Sequence, residues 1–218
     1  MSRVLYVHPL RAQGHFVFAM AQKYPIPVAE QFLGIACNCV GCGPGGSTSM
    51  LARVAIVDYR GQTVYYTYVQ PTMTVSDYRT GTTGIEPSNL EPANGALPFN
   101  EVQQQVANLI RTKILIGHSL WQDLSVLGIP HPAVATRDVA LYQPFRNSLR
   151  TPNQVVGLQT LMWHLMRRRI QEGKIDALEN ARAAIDLYRS SANEWEASIS
   201  KGQWPTVLPP STFSRCYL

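Results

Sequence analysis

Between Phe32 and Tyr59 the chain reads FLGIACNCVGCGPGGSTSMLARVAIVDY, two apolar runs separated by a loop rich in glycine and proline. Phe32 to Cys39 suits a buried strand, and Met50 to Asp58 alternates through Leu51, Val54, Ile56 and Val57. Arg60-Gly61-Gln62 then turns the chain into TVYYTYV, whose β-branched and aromatic residues favour a pleated surface. Three consecutive strands, mostly antiparallel, are therefore expected at the start of the ordered fold.

The pattern changes after a long loop from Pro71 to Ala96. Phe99, Val102, Val106 and Leu109 fall at helical spacing and predict an amphipathic helix from Asn100 to Arg111. Lys113 to Gly117 reads as a short buried strand, followed at once by HSLWQDLSVL on a helix. Ala135 to Val139 is a further strand, and helices are expected over Gln154 to Arg168 and Asp176 to Ser200. Strands first and strand–helix alternation afterwards give an α/β class, helices flanking a mixed central sheet.

Hydrophobic residues make up 45% of the 218 and charged ones only 15%, which excludes a disordered chain and supplies a core for one domain. No apolar run approaches the roughly 20 residues that span a bilayer. The opening MSRVLYVHPLRAQGH is broken by His8, Pro9 and Arg11 and does not read as a secretion signal. The four cysteines, at 37, 39, 42 and 216, make a poor disulfide framework and are expected as reduced thiols inside a cell. The net charge of +5 is compatible with a polyanionic partner.

Five segments in order carry a family resemblance: the glycine loop with LARVAIVDYRG, DYRTGTTGI, KILIGHSLWQDLSVL, RDVALYQPFR and LENARAAIDLYR. They resemble the DEDDh 3′–5′ RNA exonucleases, in the subgroup that processes ribosomal RNA, and cover residues 31–190. The resemblance implies a ribonuclease H-like fold in a single domain. Residues 1–30 are set apart as an N-terminal extension and 191–218 as a C-terminal tail bearing Trp195, Trp204, Phe213 and Tyr217.

In that family two divalent ions, about 3.5–4 Å apart, clamp the attacking and leaving oxygens of an in-line displacement. Carboxylates bind the Mg²⁺ or Mn²⁺ and a histidine acts as base. Matched to the family pattern, the first two acidic positions hold Ala36 and Asn38, which share one strand face. Asp123 keeps the second motif's acid, but Ile175 stands at the base position and Asn180 at the last aspartate. Replacements so different in kind read as natural drift rather than engineering. The resemblance thus implies a degenerate member: an inactive pseudo-exonuclease, without cofactor, its Mg²⁺ or Mn²⁺ site lost and its fold kept as a scaffold. The alternative is a residual or partner-assisted metal-dependent 3′–5′ RNA exonuclease, using Asp123 and shifted acids such as Asp176 and Glu179.

Other residues invite competing readings. Cys37, Cys39 and Cys42 have the spacing of a zinc half-site, but small packed hydrophobes in a strand explain them better. His118 and Asp138 read as structural, the latter bonding nearby backbone. Arg146, Arg150, Arg167, Arg168, Arg169 and Lys174 form a basic cluster, read either as solvated helix ends or as a phosphate-tracking surface. A protein partner is expected, with RNA as a second candidate and no membrane. The expected setting is the nucleus or nucleolus rather than the cytoplasm.

Overall fold

The computed structural model describes residues 24–218. The chain first lays down β1 (Phe32–Cys42), β2 (Thr48–Asp58), β3 (Thr63–Tyr68) and β4 (Val75–Asp77), then a short turn of helix, α1 (Thr80–Thr83). Helix α2 (Phe99–Ile110) leads to β5 (Ile114–Gly117), α3 (Leu120–Leu127), β6 (Thr136–Asp138) and α4 (Gln143–Ser148). Three helices follow: α5 (Leu158–Met166), α6 (Ala177–Ser190) and α7 (Ala192–Ser200). The sheet order is β3-β2-β1-β5-β6, with β4 joined to the far end of β1. β1, β2 and β3 run antiparallel as expected, whereas β5 lies parallel to both β1 and β6. This is a mixed sheet flanked by helices.

Alternation along β1 divides the core. Phe32 and Ala36 face one layer, with Leu161, Met162, Ala181, Ile185, Tyr188 and Trp195 from α5, α6 and α7. Leu33 and Ile35 face the other, with Val102, Val106 and Ile110 of α2 and Leu120, Leu124 and Leu127 of α3. Gly34 permits the close approach of α6. A β-carbon there would lie 2.6 Å from Cγ1 of Ile185 and 3.0 Å from the carbonyl of Ala181. The small residues of LENARAAIDLYR therefore serve packing: Ala181 and Ala184 let the helix sit directly on the strand.

Two helices depart from the sequence expectation. The predicted start at Gln154 shifts to Leu158, because the carbonyls of Gln154 and Val156 are taken by Arg146 Nε (2.8 Å) and His118 Nε2 (2.7 Å). The continuous helix expected over Asp176–Ser200 breaks at Ser191, whose φ of −134° leaves the helical region. The break turns Trp195 inward, where it stacks on Tyr142 with ring centroids 3.9 Å apart. Of residues 1–30, the first 23 lie outside the described residues, and Tyr24 meets Trp204 edge-on at 5.9 Å.

The tail aromatics fold back on the body. The chain after α7 pairs Val207 with Leu141 and returns to place Cys216 against His131. A buried ion pair fastens this arrangement: Arg137 Nε of β6 lies 2.6 Å from Glu196 Oε1 of α7, with side chains 3% and 5% exposed. Tyr188 adds its hydroxyl at 2.8 Å. Removing one partner of a buried pair leaves an uncompensated charge. Glu196→Ala should therefore destabilise the fold by about 3–5 kcal/mol in denaturant unfolding. A loss below about 1 kcal/mol would place the pair in the range of exposed bridges and contradict this account.

Candidate functional site

The sheet parts along one edge of β1. β5 pairs with it only over Phe32, Leu33 and Gly34, and β4 joins it only at Gly41 and Cys42. The intervening edge is free, and ligands in open α/β sheets bind in the crevice where neighbouring strands diverge. Asp123, in the first turns of α3, reaches this gap and accepts a hydrogen bond from the Cys37 N–H at 2.8 Å.

Asp138 fixes the helix that delivers Asp123. Its carboxylate accepts from the N–H groups of Ser119 (2.9 Å), Leu120 (2.7 Å) and Ala140 (2.9 Å), capping α3 from the end of β6. Ser119 adopts a left-handed φ of 58° to enter that cap. The sequence reading of Asp138 as a backbone-bonding residue agrees with this placement. His118, one residue earlier, packs its imidazole on the Val156 carbonyl.

On the α6 face of the sheet a buried guanidinium lies against Asn38. Arg53 faces Asn38 across the β1–β2 register. Its Nε and one terminal nitrogen reach Asn38 Oδ1 at 3.0 and 2.7 Å. The same group bonds the carbonyls of Thr83 (3.4 Å) and Ile175 (3.3 Å), and the hydroxyls of Tyr66 and Tyr68. Its charge is met by Asp176 Oδ2 at 3.1 Å. The Asn38 amide nitrogen also donates to the Ile175 carbonyl at 3.2 Å.

The structure thus brings Asn38 and Ile175 into contact and sets Asp123 beside the same strand. Asn180 is turned toward Gln171, whose amide donates to its Oδ1 at 2.9 Å. The shifted acids are engaged as well. Asp176 Oδ1 caps α6 by accepting from the Glu179 N–H at 3.0 Å, and Glu179 Oε2 accepts from the Gln171 N–H at 2.9 Å. Ala36, Asn38 and Asp123 are 9%, 4% and 8% exposed, so solvent reaches the site through its rim. Among the described residues, no three His, Cys, Asp or Glu side chains converge to hold an ion. As they stand, these side chains alone do not fit a two-ion cluster.

Burial dominates the site's electrostatics. It raises the Asp123 carboxyl to about 8 despite the Cys37 N–H, with the Asp138 charge adding to the rise. Burial likewise lifts the Cys37 thiol and takes Cys39 to about 12, so both stay protonated at neutral pH. Cys42 bonds the Thr48 carbonyl, and Cys216 lies at the Trp121 carbonyl. The cysteines are thus placed as packed thiols.

Of the basic residues, Arg146 is buried, Arg168 pairs with Asp186, and Lys174 bonds the Thr80 and Gly81 carbonyls. Arg169 lies 3.5 Å from Glu172, while Arg150 and Arg167 remain exposed. Sequence reasoning passed over Arg53. Its signal was present: a lone arginine inside the apolar run MLARVAIVD requires a buried partner.

The raised Asp123 pKa has a consequence for stability. Below the unfolded value near 4 both states hold the proton and no penalty arises. As pH rises toward 8 the unfolded carboxyl ionises while the folded one resists, so this group destabilises the native state progressively. Asp123→Asn keeps an oxygen for the Cys37 N–H and has no such titration. Its melting temperature relative to the parent should climb between pH 5 and pH 8, by about 2–8 °C overall. A difference that does not change with pH would refute the assignment.

No protein-family model matches the chain. Curated relatives do. RNA exonuclease 4 of Cryptococcus neoformans is 42% identical over 195 residues, spanning 88% of this chain and 46% of that protein. RNA exonuclease 4 of Mus musculus is 37% identical over 81% of this chain and 40% of its own length. The chain spans less than half the length of these relatives. Among solved structures, the Pan2 pseudoubiquitin hydrolase–RNA exonuclease module of Saccharomyces cerevisiae, in complex with A7 RNA, is 26% identical with a TM-score of 0.67. It covers 81% of this chain and 31% of that one. The Neurospora crassa Pan2 catalytic unit shows the same fold at 24% identity, with a TM-score of 0.67 over 83% of this chain and 30% of its own.

These relatives correct the reading of an inactive scaffold. Proteins named RNA exonuclease 4, alike across most of this chain, point to an enzyme rather than a pseudoenzyme. The expectation of a lost Mg²⁺ or Mn²⁺ site is withdrawn on the same finding. That expectation rested on counting carboxylates at matched positions alone. The ribonuclease H-like sheet, the five ordered motifs and these relatives together place the chain in the DEDD-type 3′–5′ exonuclease family.

Proposed function

We propose that the chain is the nuclease domain of a 3′–5′ RNA exonuclease, and that the free edge of β1 receives the RNA 3′ end. The chain has a slow activity of its own, and acidic groups from a partner, or from further parts of a longer polypeptide, raise it. The observation that carries this reading is Asp123. It is a buried carboxyl delivered by a capped helix to the stretch of β1 whose edge away from β2 lies between the β5 and β4 pairings. The relatives' names support the RNA reading, as does the RNA in complex with the Pan2 module.

The chain's own groups have definable tasks in this scheme. Arg53 ties the turn after β4 to the segment before α6, so the rim keeps its shape. Asp123, held by the Cys37 N–H at 2.8 Å, presents its carboxyl at the gap. Groups arriving from outside supply the negative charge that Ala36, Asn38 and Asn180 do not.

A time course on 5′-labelled single-stranded RNA with Mn²⁺ tests the proposal. The chain alone should shorten RNA slowly from the 3′ end, and Asp123→Ala should abolish this. The variant carrying Ala36→Asp, Asn38→Glu, Ile175→His and Asn180→Asp should work faster by roughly 10²–10⁴, the range for restoring a positioned base. A parent chain that stays at the blank level while the restored variant digests would overturn the proposal.

A further inference from the structure

The outward face of α5 collects exposed aromatic and basic side chains. Trp163 is 41% exposed, with the Arg169 guanidinium 5.3 Å from its ring centroid. Together with Gln159, Thr160, His164 and Glu172 these residues line an open hollow of about 470 Å³. His164 also lines a second hollow of about 380 Å³, beside Ser148, Leu149, Arg150, Leu165 and Arg167. His164 thus lies between the two hollows. Among the described residues, no ion pair or side-chain hydrogen bond engages Arg150 or Arg167. Glu172 is the one acid lining either hollow, and it lies 3.5 Å from Arg169.

The backbone adds a second observation. Arg150 and Arg167 both hold left-handed φ angles, 59° and 54°. Arg167 ends α5 there, a position that ordinarily takes glycine. An L-residue in that region costs roughly 1–2 kcal/mol. Two arginines sit in conformations that glycine would adopt without strain, with both guanidinium groups left to the surface.

The surface also leads to the site. Arg169 and Glu172 flank Ile170 and Gln171, and the Gln171 amide bonds Asn180 at the rim. We propose that the outward face of α5 is a track for single-stranded RNA leaving the cleft on the 5′ side. Trp163 stacks a base, Arg150 and Arg167 bind successive phosphates, and His164 lies between them. Exposed aromatic faces with interleaved arginines bind single strands in this manner, by stacking and charge rather than by sequence. The charge selects a polyanion, and the open tryptophan face selects one with unpaired bases. This inference rests on the reading that the RNA 3′ end enters at β1.

The test compares oligouridylates of roughly four and roughly twelve nucleotides, the shorter filling the cleft alone and the longer reaching the track. Fluorescence anisotropy would be measured across a salt series. Trp163→Ala should weaken the longer RNA about tenfold and leave the shorter one unchanged. The combined Arg150→Gly and Arg167→Gly variant should weaken the longer RNA and flatten its log–log salt slope by about 1.4, or 0.7 per phosphate. Its melting temperature should hold or rise, because glycine relieves the strained backbone. That separates a binding role from a structural one. Unchanged affinity for the longer RNA in both variants would overturn the track while leaving the cleft reading in place. Equal loss for both lengths would move these residues to the 3′ end and also overturn the track. A parent chain that binds neither RNA would remove both readings.

Discussion

The site depends on one buried guanidinium. Arg53 is 6% exposed and engages Asn38, the Thr83 and Ile175 carbonyls, two tyrosine hydroxyls and Asp176. It ties two strands, the turn after β4 and the entry to α6 into one frame. A charge so deeply placed is tolerated only when nearly every donor is satisfied. The frame therefore holds or fails as a unit. The acid at position 38 that the family resemblance implies would face this guanidinium directly. Here an amide oxygen accepts instead, and the balancing carboxylate comes from Asp176.

That substitution explains much of the site's geometry. Asn38 Oδ1 is turned to Arg53, and Asp176 divides its oxygens between the arginine and the cap of α6. Glu179 and Asn180 are both occupied by Gln171. Asp123 stands apart, delivered from the opposite layer by a helix that Asp138 caps. The chain keeps the fold's crevice and one acid in place. Its other polar groups maintain the shape of the rim.

The sheet was legible in the sequence because its signals are local. Alternation along Met50 to Asp58 and the turn at Arg60-Gly61-Gln62 determine the hairpin, and the odd and even positions of β1 do divide between two helix layers. The helix break at Ser191 was not legible, since it is set by the distant ring of Tyr142 receiving Trp195. The same holds for the basic cluster. Sequence grouped Arg146 with Arg167, but only tertiary contacts show one buried on the Gln154 carbonyl and the other left at the surface. Matched motifs identified Asp123 at once. They were silent about Arg53, whose seven contacts come from four parts of the chain, and they misled on activity, which the relatives corrected.

The central claim is that an RNA 3′ end enters along the free edge of β1, between the turn after β4 and the entry to α6. Photo-crosslinking with a single-stranded RNA carrying 4-thiouridine at its 3′ terminus, read by peptide mass spectrometry, tests this most directly. The account predicts adducts on peptides containing Cys39 and the 175–180 segment, which are only partly buried beside the gap. Adducts confined to β3 or the exposed side of α2, with those peptides unlabelled, would contradict it.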